Sequence, residues 1–308
     1  MSVISNLPAM PNRIAFACEY FYYLGEKGGE RSSVESQLSP LKKVDAQDQE
    51  GKSGKSMADD VLGEMEKLKI LVQSSGNVIK LNPDIKDVDL PDGDWQQALR
   101  PILFSRLTVP ENAEACGQIE VPDALSWLLT QDPFDPMPWS GGEHVERIVL
   151  QLGENDPMRN LIGNNSRFQN LIYWARYLGF AERVSVKIGL NAVDMVIPDP
   201  TEAIFTHLSE VFVSDPELPI QAFMQRLADV CPVLDGGSSR HNLEARLKDE
   251  YQPKENHISR ATSLALMRLA TRGDLKLENP SDAKSWILDL GQTTQAVSYV
   301  RFLQGGGA

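Results

Sequence analysis

The sequence predicts a mainly α-helical protein with small antiparallel β-hairpins, built as three tandem winged-helix units and a helical connector. The first observation is the stretch MEKLKILVQSSGNVIKL at residues 65–81, where a helical apolar pattern runs into two short apolar runs around a turn signal. The second observation is that the same order of elements recurs twice. The predicted boundaries are winged helix 1 at 1–90, the connector at 91–137, winged helix 2 at 138–205, winged helix 3 at 206–304 and a frayed tail at 305–308.

The first unit begins with a predicted helix that follows Pro11-Asn12. Its apolar residues fall at helical spacing up to Leu24, and Gly25 ends it. Ser32-Ser33-Val34-Glu35 matches a capping box, which predicts the start of a second helix. The polar, glycine-bearing stretch at residues 41–56 is typical of a mobile loop.

The third helix of the first unit is predicted over residues 57–71, with apolar side chains on one face. A hairpin follows at once, in which residues 70–72 pair with residues 78–81. This order of three helices and a two-stranded ribbon is the pattern that indicates a winged helix.

The connector is predicted to contain two helices, at residues 95–107 and 122–129. Apolar residues around Trp127 in the second helix are expected to dock against a neighbouring unit. The run Asp132-Pro133-Phe134-Asp135-Pro136 predicts a stiff turn, so we expect a rigid connector.

The second unit repeats the order of elements after Gly141-Gly142. Its helices are predicted at 145–152 and 157–162, and a third helix is capped by Asn165 or Ser166. A strand pair is then predicted, formed by residues 184–188 and 193–197.

The third unit is predicted to start at Asp215-Pro216 or at Pro219, since both patterns suit a helix start. Two apolar stripes follow, and a third helix opens at residues 258–260. Residues 275–277 are predicted to pair with residues 286–290 as a wing, and residues 297–302 are expected to add a last strand.

The charge balance is acidic, with 30 Lys and Arg against 43 Asp and Glu and a net charge of -13. Such a surface repels phosphate backbones, so it disfavours general coating of DNA and leaves only local contacts. It also keeps a protein soluble. The cysteines, Cys18, Cys116 and Cys231, are widely spaced, which predicts neither disulfides nor a zinc site.

Helix charge separates the three units, because the third helix of a winged helix enters the major groove of DNA. In the first unit this helix carries more carboxylates than lysines, which favours a basic protein partner. Its candidate protein-interface residues are Asp59, Asp60, Glu64 and Glu66.

The third helices of the other two units carry arginines and no carboxylate. The candidate nucleic-acid-binding residues are Arg167, Arg176, Arg240, Arg260, Arg268 and Arg272. The alternative, which the acidic balance favours, is that these arginines are solvated or pair with carboxylates.

Catalytic motifs are not recognised in the sequence: it has no P-loop, nucleophile elbow or nuclease-like carboxylate pattern in a suitable context. The Asp-Pro dipeptides occur where helices start or turns close, which indicates capping. We therefore expect no enzyme, no catalytic residue, no metal and no cofactor. The first residues do not show a basic flank followed by a long apolar core, and the sequence has no long apolar run. We therefore also expect no membrane contact and a cytoplasmic location.

Several short stretches resemble the DpdG family of bacterial DNA 7-deazaguanine modification and restriction clusters. They are MPNRIAFACEYFYYLGEKG, LGEMEKLKILVQSSGNVIKLNPD, ALSWLLTQDPFDPMPW, VIPDPTEAI, ALMRLATRGDLKLE and VSYVRF. The resemblance implies a non-catalytic component of an anti-phage restriction system that works beside helicase, ATPase or nuclease subunits. It supplies no motif of functional residues.

Two functions from different classes follow. The first is an adaptor subunit whose winged-helix units dock onto a helicase, ATPase or nuclease, with double-stranded DNA as a local second partner. The alternative is a stand-alone winged-helix transcriptional regulator that binds a specific DNA sequence. The net charge favours the adaptor.

Overall fold

The computed structural model describes residues 2–39, 56–74, 76–90, 93–188, 191–213, 215–280 and 283–303. The fold is mainly α-helical with small sheets, as predicted. Within these residues the strand pairs are antiparallel, apart from one parallel pair near the C-terminal end.

The first segment contains helices and one three-stranded antiparallel sheet. Its elements are α1 (Pro11–Leu24), β1 (Gly29–Glu30), α2 (Arg31–Leu38), α3 (Met57–Lys67), β2 (Leu71–Gln73), β3 (Val78–Leu81) and the short α4 (Pro83–Lys86). The sheet order is β1-β3-β2, and Leu71 pairs with Leu81. The predicted first helix and the hairpin are confirmed, whereas the sequence does not predict β1. Gly28 is needed just before β1, because its φ is 62° and a Cβ there would lie 2.4 Å from the Ile79 carbonyl oxygen.

The capping box predicted at residues 32–35 is wrong. α2 already begins at Arg31, so Ser32 lies inside the helix and its hydroxyl donates to the Glu30 carboxylate at 3.0 Å. Glu35 accepts from the hydroxyl of Ser56, which caps α3 by accepting from the Asp59 amide. The predicted loop at 41–56 lies outside the described residues except for Ser56, and the predicted tail at 305–308 lies outside them entirely.

The connector forms three helices, α5 (Trp95–Thr108), α6 (Pro110–Ala115) and α7 (Val121–Thr130). α5 and α7 are the two predicted helices, and α6 is an addition. The turn predicted at Asp132 is confirmed, because its carbonyl accepts from the Asp135 amide at 3.2 Å.

The middle segment follows the predicted order and then continues with a helix that the sequence does not predict. Its elements are β4 (Met137–Pro138), α8 (Glu143–Leu152), α9 (Pro157–Ile162), α10 (Asn165–Leu178), β5 (Ala181–Ile188), β6 (Asn191–Pro198) and α11 (Thr201–Val211). The sheet order is β4-β6-β5. α10 is capped one residue earlier than predicted, by Asn164, which accepts from the Arg167 amide at 2.9 Å. The boundary predicted between residues 205 and 206 falls inside α11, and the division into domains stays a prediction.

The last segment departs most from the prediction in how its strands pair. Its elements are β7 (Glu217–Pro219), α12 (Ile220–Val230), α13 (Ser238–Glu244), β8 (His257–Ile258), α14 (Arg260–Arg272), β9 (Leu275–Glu278), β10 (Trp286–Asp289), β11 (Thr294–Val297) and β12 (Tyr299–Phe302). The first helix starts after Pro219, which is the second of the two predicted starts.

The wing predicted between residues 275–277 and 286–290 is wrong. β9 pairs with β12, where Leu277 lies opposite Val300, and β12 also pairs with β7. β10 pairs with β11 and, in parallel, with β8. The physical reason is that strands with similar apolar patterns do not specify their partners. Here β9 pairs with the more distant β12, and β10 takes the next strand, β11, together with the distant β8.

A shared core runs through all segments, and α7 lies at its centre. Eight of the ten α7 residues are buried, and Trp127 is 0% exposed. α7 packs against α5, α9, α10, α13 and α14. The expectation that the residues around Trp127 dock against a neighbour is confirmed.

The segment before α1 ties distant parts together. Its Val3 amide donates to Gln118 at 2.8 Å, and its Ile4 and Ala9 carbonyls accept from Asn170 (3.2 Å) and Trp174 (3.2 Å) of α10. Because half of the α10 residues are buried, this helix serves as an internal support as well as a surface.

Candidate interaction surfaces

The start of α14 is fixed by a carboxylate from the loop between α12 and α13. Asp235 accepts from the backbone amide and the hydroxyl of Ser259, each at 2.8 Å, and from the hydroxyl of Thr262. A negative charge is favourable at this end of a helix, because the amides there lack helical partners. α14 therefore starts at Arg260 and presents its arginines on defined faces.

Arg260 and Arg240 lie in one groove but are both held by carboxylates. Arg260 pairs with Asp132 and, at 3.2 Å, with Asp289. Arg240 is only 4% exposed and donates to Glu244 at 2.7 Å. Side chains of these residues line a groove of about 450 Å³. Although it lies beside this groove of the protein, Arg240 is buried, so its side chain is not placed to contact DNA.

A second groove brings three of the predicted arginines together with one that the sequence does not point to. We call it the arginine groove, and it contains Arg100 of α5, Arg176 of α10, and Arg268 and Arg272 of α14, in a volume of about 840 Å³. Its carboxylates are Glu182, Asp199 and Glu202. Arg100 belongs to the connector, where a single arginine in a helical pattern gives no signal of a site.

The two α14 arginines in this groove are engaged by carboxylates from other elements. Arg268 pairs with Asp199 and lies 3.5 Å from the Glu182 carboxylate. Arg272 pairs with Glu202 at 2.7 Å and with Asp274 at 2.5 Å. Burial opposes the charge of Arg272, but hydrogen bonds to the two carboxylates outweigh it and raise its pKa.

Arg176 and Arg100 are the cations of the groove that carboxylates do not neutralise. Both side chains are exposed, and neither forms an ion pair with any residue that the structure describes. The Arg100 guanidinium lies 5.7 Å from the centre of the Tyr177 ring. These two arginines leave the groove with a local positive charge in an acidic protein.

Arg167 stands apart from both grooves. It lies in the first turn of α10 and donates to the Asn160 carbonyl at 2.7 Å. The structure therefore brings Arg176, Arg268 and Arg272 together, places Arg240 with Arg260, and leaves Arg167 alone.

The acidic residues predicted as a protein interface differ in their accessibility. Asp59 and Glu66 pair with Arg31 at 2.9 and 2.7 Å. Glu64 is fully buried, pairs with Lys67 at 2.9 Å, and accepts from Gln118 at 2.5 Å and from Asn6 at 3.0 Å. Asp60 is half-buried and forms no ion pair within the described chain. Glu64 thus joins α3 to the connector, and only Asp60 keeps an unneutralised charge.

An apolar surface on the first segment was not part of the sequence-based prediction. Phe16 and Tyr23 of α1 are 62% and 79% exposed, and Met57 of α3 is 46% exposed. Phe16 and Met57 line a small groove of about 160 Å³ between α1 and α3. The sequence shows the apolar stripe of α1 but not which aromatic side chains remain outside.

The second segment also contains a buried histidine, His144. The ring of His144 is stacked on Phe168 at 4.2 Å, and the residue is only 1% exposed. Burial lowers the pKa of His144 to about 4.

All three cysteines are buried and unpaired. In the described ranges, no group of three His, Cys, Asp or Glu side chains is arranged to hold a metal ion. Nor does any helix there have the length and apolar character needed to cross a bilayer.

Comparison with known families identifies the chain. A model of the DpdG-like family matches residues 1–283, so the chain belongs to this family. The family indicates involvement in a 7-deazaguanine DNA modification system, which is encoded by several genes. No curated protein and no solved structure matches the chain.

Proposed function

We propose that this member of the DpdG-like family is a non-catalytic adaptor subunit of a bacterial anti-phage DNA restriction complex. It docks onto a helicase, ATPase or nuclease subunit of the same system and contacts double-stranded DNA only locally. Family membership supports the defence context. The adaptor role is our inference from the charges and contacts of the chain.

We also propose that the molecule is organised as tandem winged-helix units. What supports this is the recurring order of elements: α1, α2, α3 and then β2-β3, followed by α8, α9, α10 and then β5-β6. In both cases a third strand joins the hairpin. β4 precedes the helices of the second unit, whereas β1 lies between α1 and α2 of the first. The last segment has the three helices but distributes its strands over two sheets, so it is the most divergent unit.

The observation that carries the adaptor proposal is that most of the candidate arginines are paired with carboxylates of the same molecule. Four of the six candidate DNA-binding arginines pair with carboxylates: Arg240, Arg260, Arg268 and Arg272. Binding a phosphate would require each to leave its partner, which costs much of the affinity gained. Three of these pairs join different elements, so their arginines hold the scaffold together.

A local DNA contact is favoured by the arginine groove. Arg100 and Arg176 are exposed there and are not neutralised by a carboxylate of the described chain. Two such cations can meet one or two phosphates, which is enough to orient DNA in a complex but too little to hold it alone. This is why we prefer the adaptor to a stand-alone regulator.

Co-expression tests the adaptor proposal. The tagged chain is purified together with the helicase, ATPase and nuclease subunits encoded beside it, and the complex is measured by size-exclusion chromatography with mass determination. We expect a defined complex with at least one subunit. If the chain elutes alone and binds one DNA sequence tightly in a gel shift, the regulator is the correct function.

A further inference from the structure

A groove lies where the connector meets the second and third segments. It is formed by α6, the α6–α7 loop, α7, α9 and α13, and has a volume of about 460 Å³. We call it the junction groove, and its central residues are Glu111, Glu114, Ile119, Glu120, Ser239 and Arg246. Because these elements are distant in the sequence, the groove exists only in the folded chain.

The walls of the junction groove carry an excess of negative charge. Glu111 and Glu114 are exposed and form no ion pair in the part of the chain that the structure describes. Arg246, the basic residue of the groove, is already used, because it donates to Asp123 at 2.9 and 3.1 Å and to Asp156 at 3.1 Å. The groove therefore attracts cations and repels phosphate.

The groove also offers an apolar anchor. Ile119 is 65% exposed at its rim and stands beside carboxylates. Met158 and Leu161 of α9 are 1% and 8% exposed, and they form an apolar part of the groove wall. An apolar side chain laid across this strip would remove surface of Ile119 from water.

A buried hydroxyl without a hydrogen-bond partner is a second indication of a ligand, in this case a polar one. Ser239 of α13 lines the groove, is only 4% exposed, and its hydroxyl has no hydrogen-bond partner among the described residues. A buried hydroxyl without a partner is unfavourable, and a backbone amide or carbonyl of a bound chain would satisfy it. This observation is independent of the carboxylates.

We infer that the junction groove binds a lysine- or arginine-bearing segment of a protein partner, with an apolar side chain placed against Ile119. The inference rests on the proposed adaptor function and names the chemistry of the docking partner. A basic side chain pairs with Glu111 and Glu114, and the backbone of the segment reaches Ser239. Nucleic acid does not suit this groove, because its carboxylates would face phosphates.

The first arm of the test uses defined peptides and the full chain. The probe is a fluorescein-labelled peptide of lysine and leucine at helical spacing, and its glutamate-leucine counterpart serves as comparison. Binding is measured by anisotropy, and a carbodiimide joins lysine amines to nearby carboxylates for mapping by mass spectrometry. We expect the lysine peptide to bind and to cross-link to Glu111 or Glu114.

A matched pair of variants separates the groove from general charge attraction. The groove variant is Glu111→Lys with Glu114→Lys, and the control is Glu146→Lys with Glu255→Lys, which alters exposed carboxylates outside the groove. Each Glu→Lys substitution raises the net charge by two, so the net charge of both variants rises from -13 to -9. We expect the groove variant to lose about tenfold or more in affinity and the control to lose much less. Equal losses in the two variants, or cross-links elsewhere, would overturn the inference.

The second arm keeps the inference separate from the proposed function. The same two variants are co-purified with the neighbouring subunits. If wild type and control assemble and the groove variant does not, the junction groove is the docking site. If all three assemble equally, the groove inference is wrong while the adaptor function stands. If wild type assembles with none of the subunits, the adaptor function fails, and the peptide arm alone decides whether the groove binds basic segments.

Discussion

The arginine groove and the junction groove treat their charges in opposite ways. In the arginine groove, Arg268 and Arg272 are paired with carboxylates of other elements. In the junction groove, Glu111 and Glu114 stay exposed and unpaired within the described chain. An acidic chain has too few cations to neutralise all of its anions, so carboxylates such as Glu111 and Glu114 remain exposed while Arg268 and Arg272 are engaged. The difference teaches that a cluster of arginines in such a protein marks a joint in the scaffold before it marks a DNA site.

The largest effect is expected from Trp127→Ala, which breaks the support that both grooves share. The side chain is fully buried, and its indole donates to Gln151 at 2.9 Å. We expect the free energy of unfolding to fall by about 3 to 5 kcal/mol. Chemical denaturation measures this change. Tyr23→Ala is the control, because that side chain is 79% exposed; a comparable loss in the control would show that α7 has no central role.

The next effect concerns acid stability and the buried His144. His144 has a folded pKa of about 4, below the ordinary value of about 6.5, so the unfolded chain binds its proton first. Its contribution to stability is complete above pH 6.5, is lost as the pH falls towards 4, and is constant below that. We expect a loss of about 2 to 3 kcal/mol over this window.

His144→Phe isolates this contribution, because phenylalanine keeps the stacking on Phe168 and does not titrate. Denaturation is measured from pH 7 to pH 4 for both proteins. The free energy of unfolding of the wild type should fall more steeply than that of the variant. Parallel curves would mean that His144 is accessible to protons in the folded chain.

A smaller effect should convert the arginine groove into a DNA-binding surface. Glu182→Gln with Glu202→Gln removes two half-exposed carboxylates, with side chains 52% and 57% exposed, from beside Arg268 and Arg272. We expect affinity for a random DNA duplex at low salt to rise by about tenfold, because the groove loses two negative charges that repel phosphate, while Asp199 and Asp274 stay beside the arginines. Anisotropy of a labelled duplex measures it. Glu146→Gln with Glu255→Gln changes the net charge equally, and an equal rise there would contradict a role of the groove.

The smallest effect distinguishes two arginines of the same helix. Arg176→Glu should weaken the residual DNA affinity of the wild type several-fold at low salt, because Arg176 is exposed in the arginine groove. Arg167→Glu should change it little, because Arg167 lies at the other end of α10 and is bonded to the Asn160 carbonyl. If Arg167→Glu has the larger effect, the start of α10 is the DNA-facing surface instead.

Local pattern was sufficient for most helices and for the hairpins β2-β3 and β5-β6, but the hairpin β10-β11 was not predicted. The apolar spacing from Ile14 to Phe21 predicts α1, and the turn around Gly76 predicts the pairing of β2 with β3, because both depend on neighbours in the sequence. Pairing over long distances was not predictable. β9 and β10 follow each other in the chain, yet each pairs with other strands.

The sites were predictable only in part, for the same reason. Glu64 resembles a surface carboxylate in sequence, because its partner Gln118 is 54 residues away. The arginines of α14 were recognised from charge, but their pairing with Asp132 and Asp199 depends on the tertiary fold. The junction groove had no sequence signal, since α6 and α13 meet only across α7.

The salt dependence of DNA binding by the purified chain tests the central claim most directly. Anisotropy titrations with a labelled duplex are made over a range of salt concentrations, and the slope of log K against log salt counts the phosphates that are neutralised. We predict weak binding without sequence preference and a slope no steeper than about -2, since Arg100 and Arg176 are the cations of the arginine groove that no carboxylate of the described chain neutralises. A slope of about -6 or steeper, with tight binding to one sequence, would contradict the adaptor and establish a DNA reader.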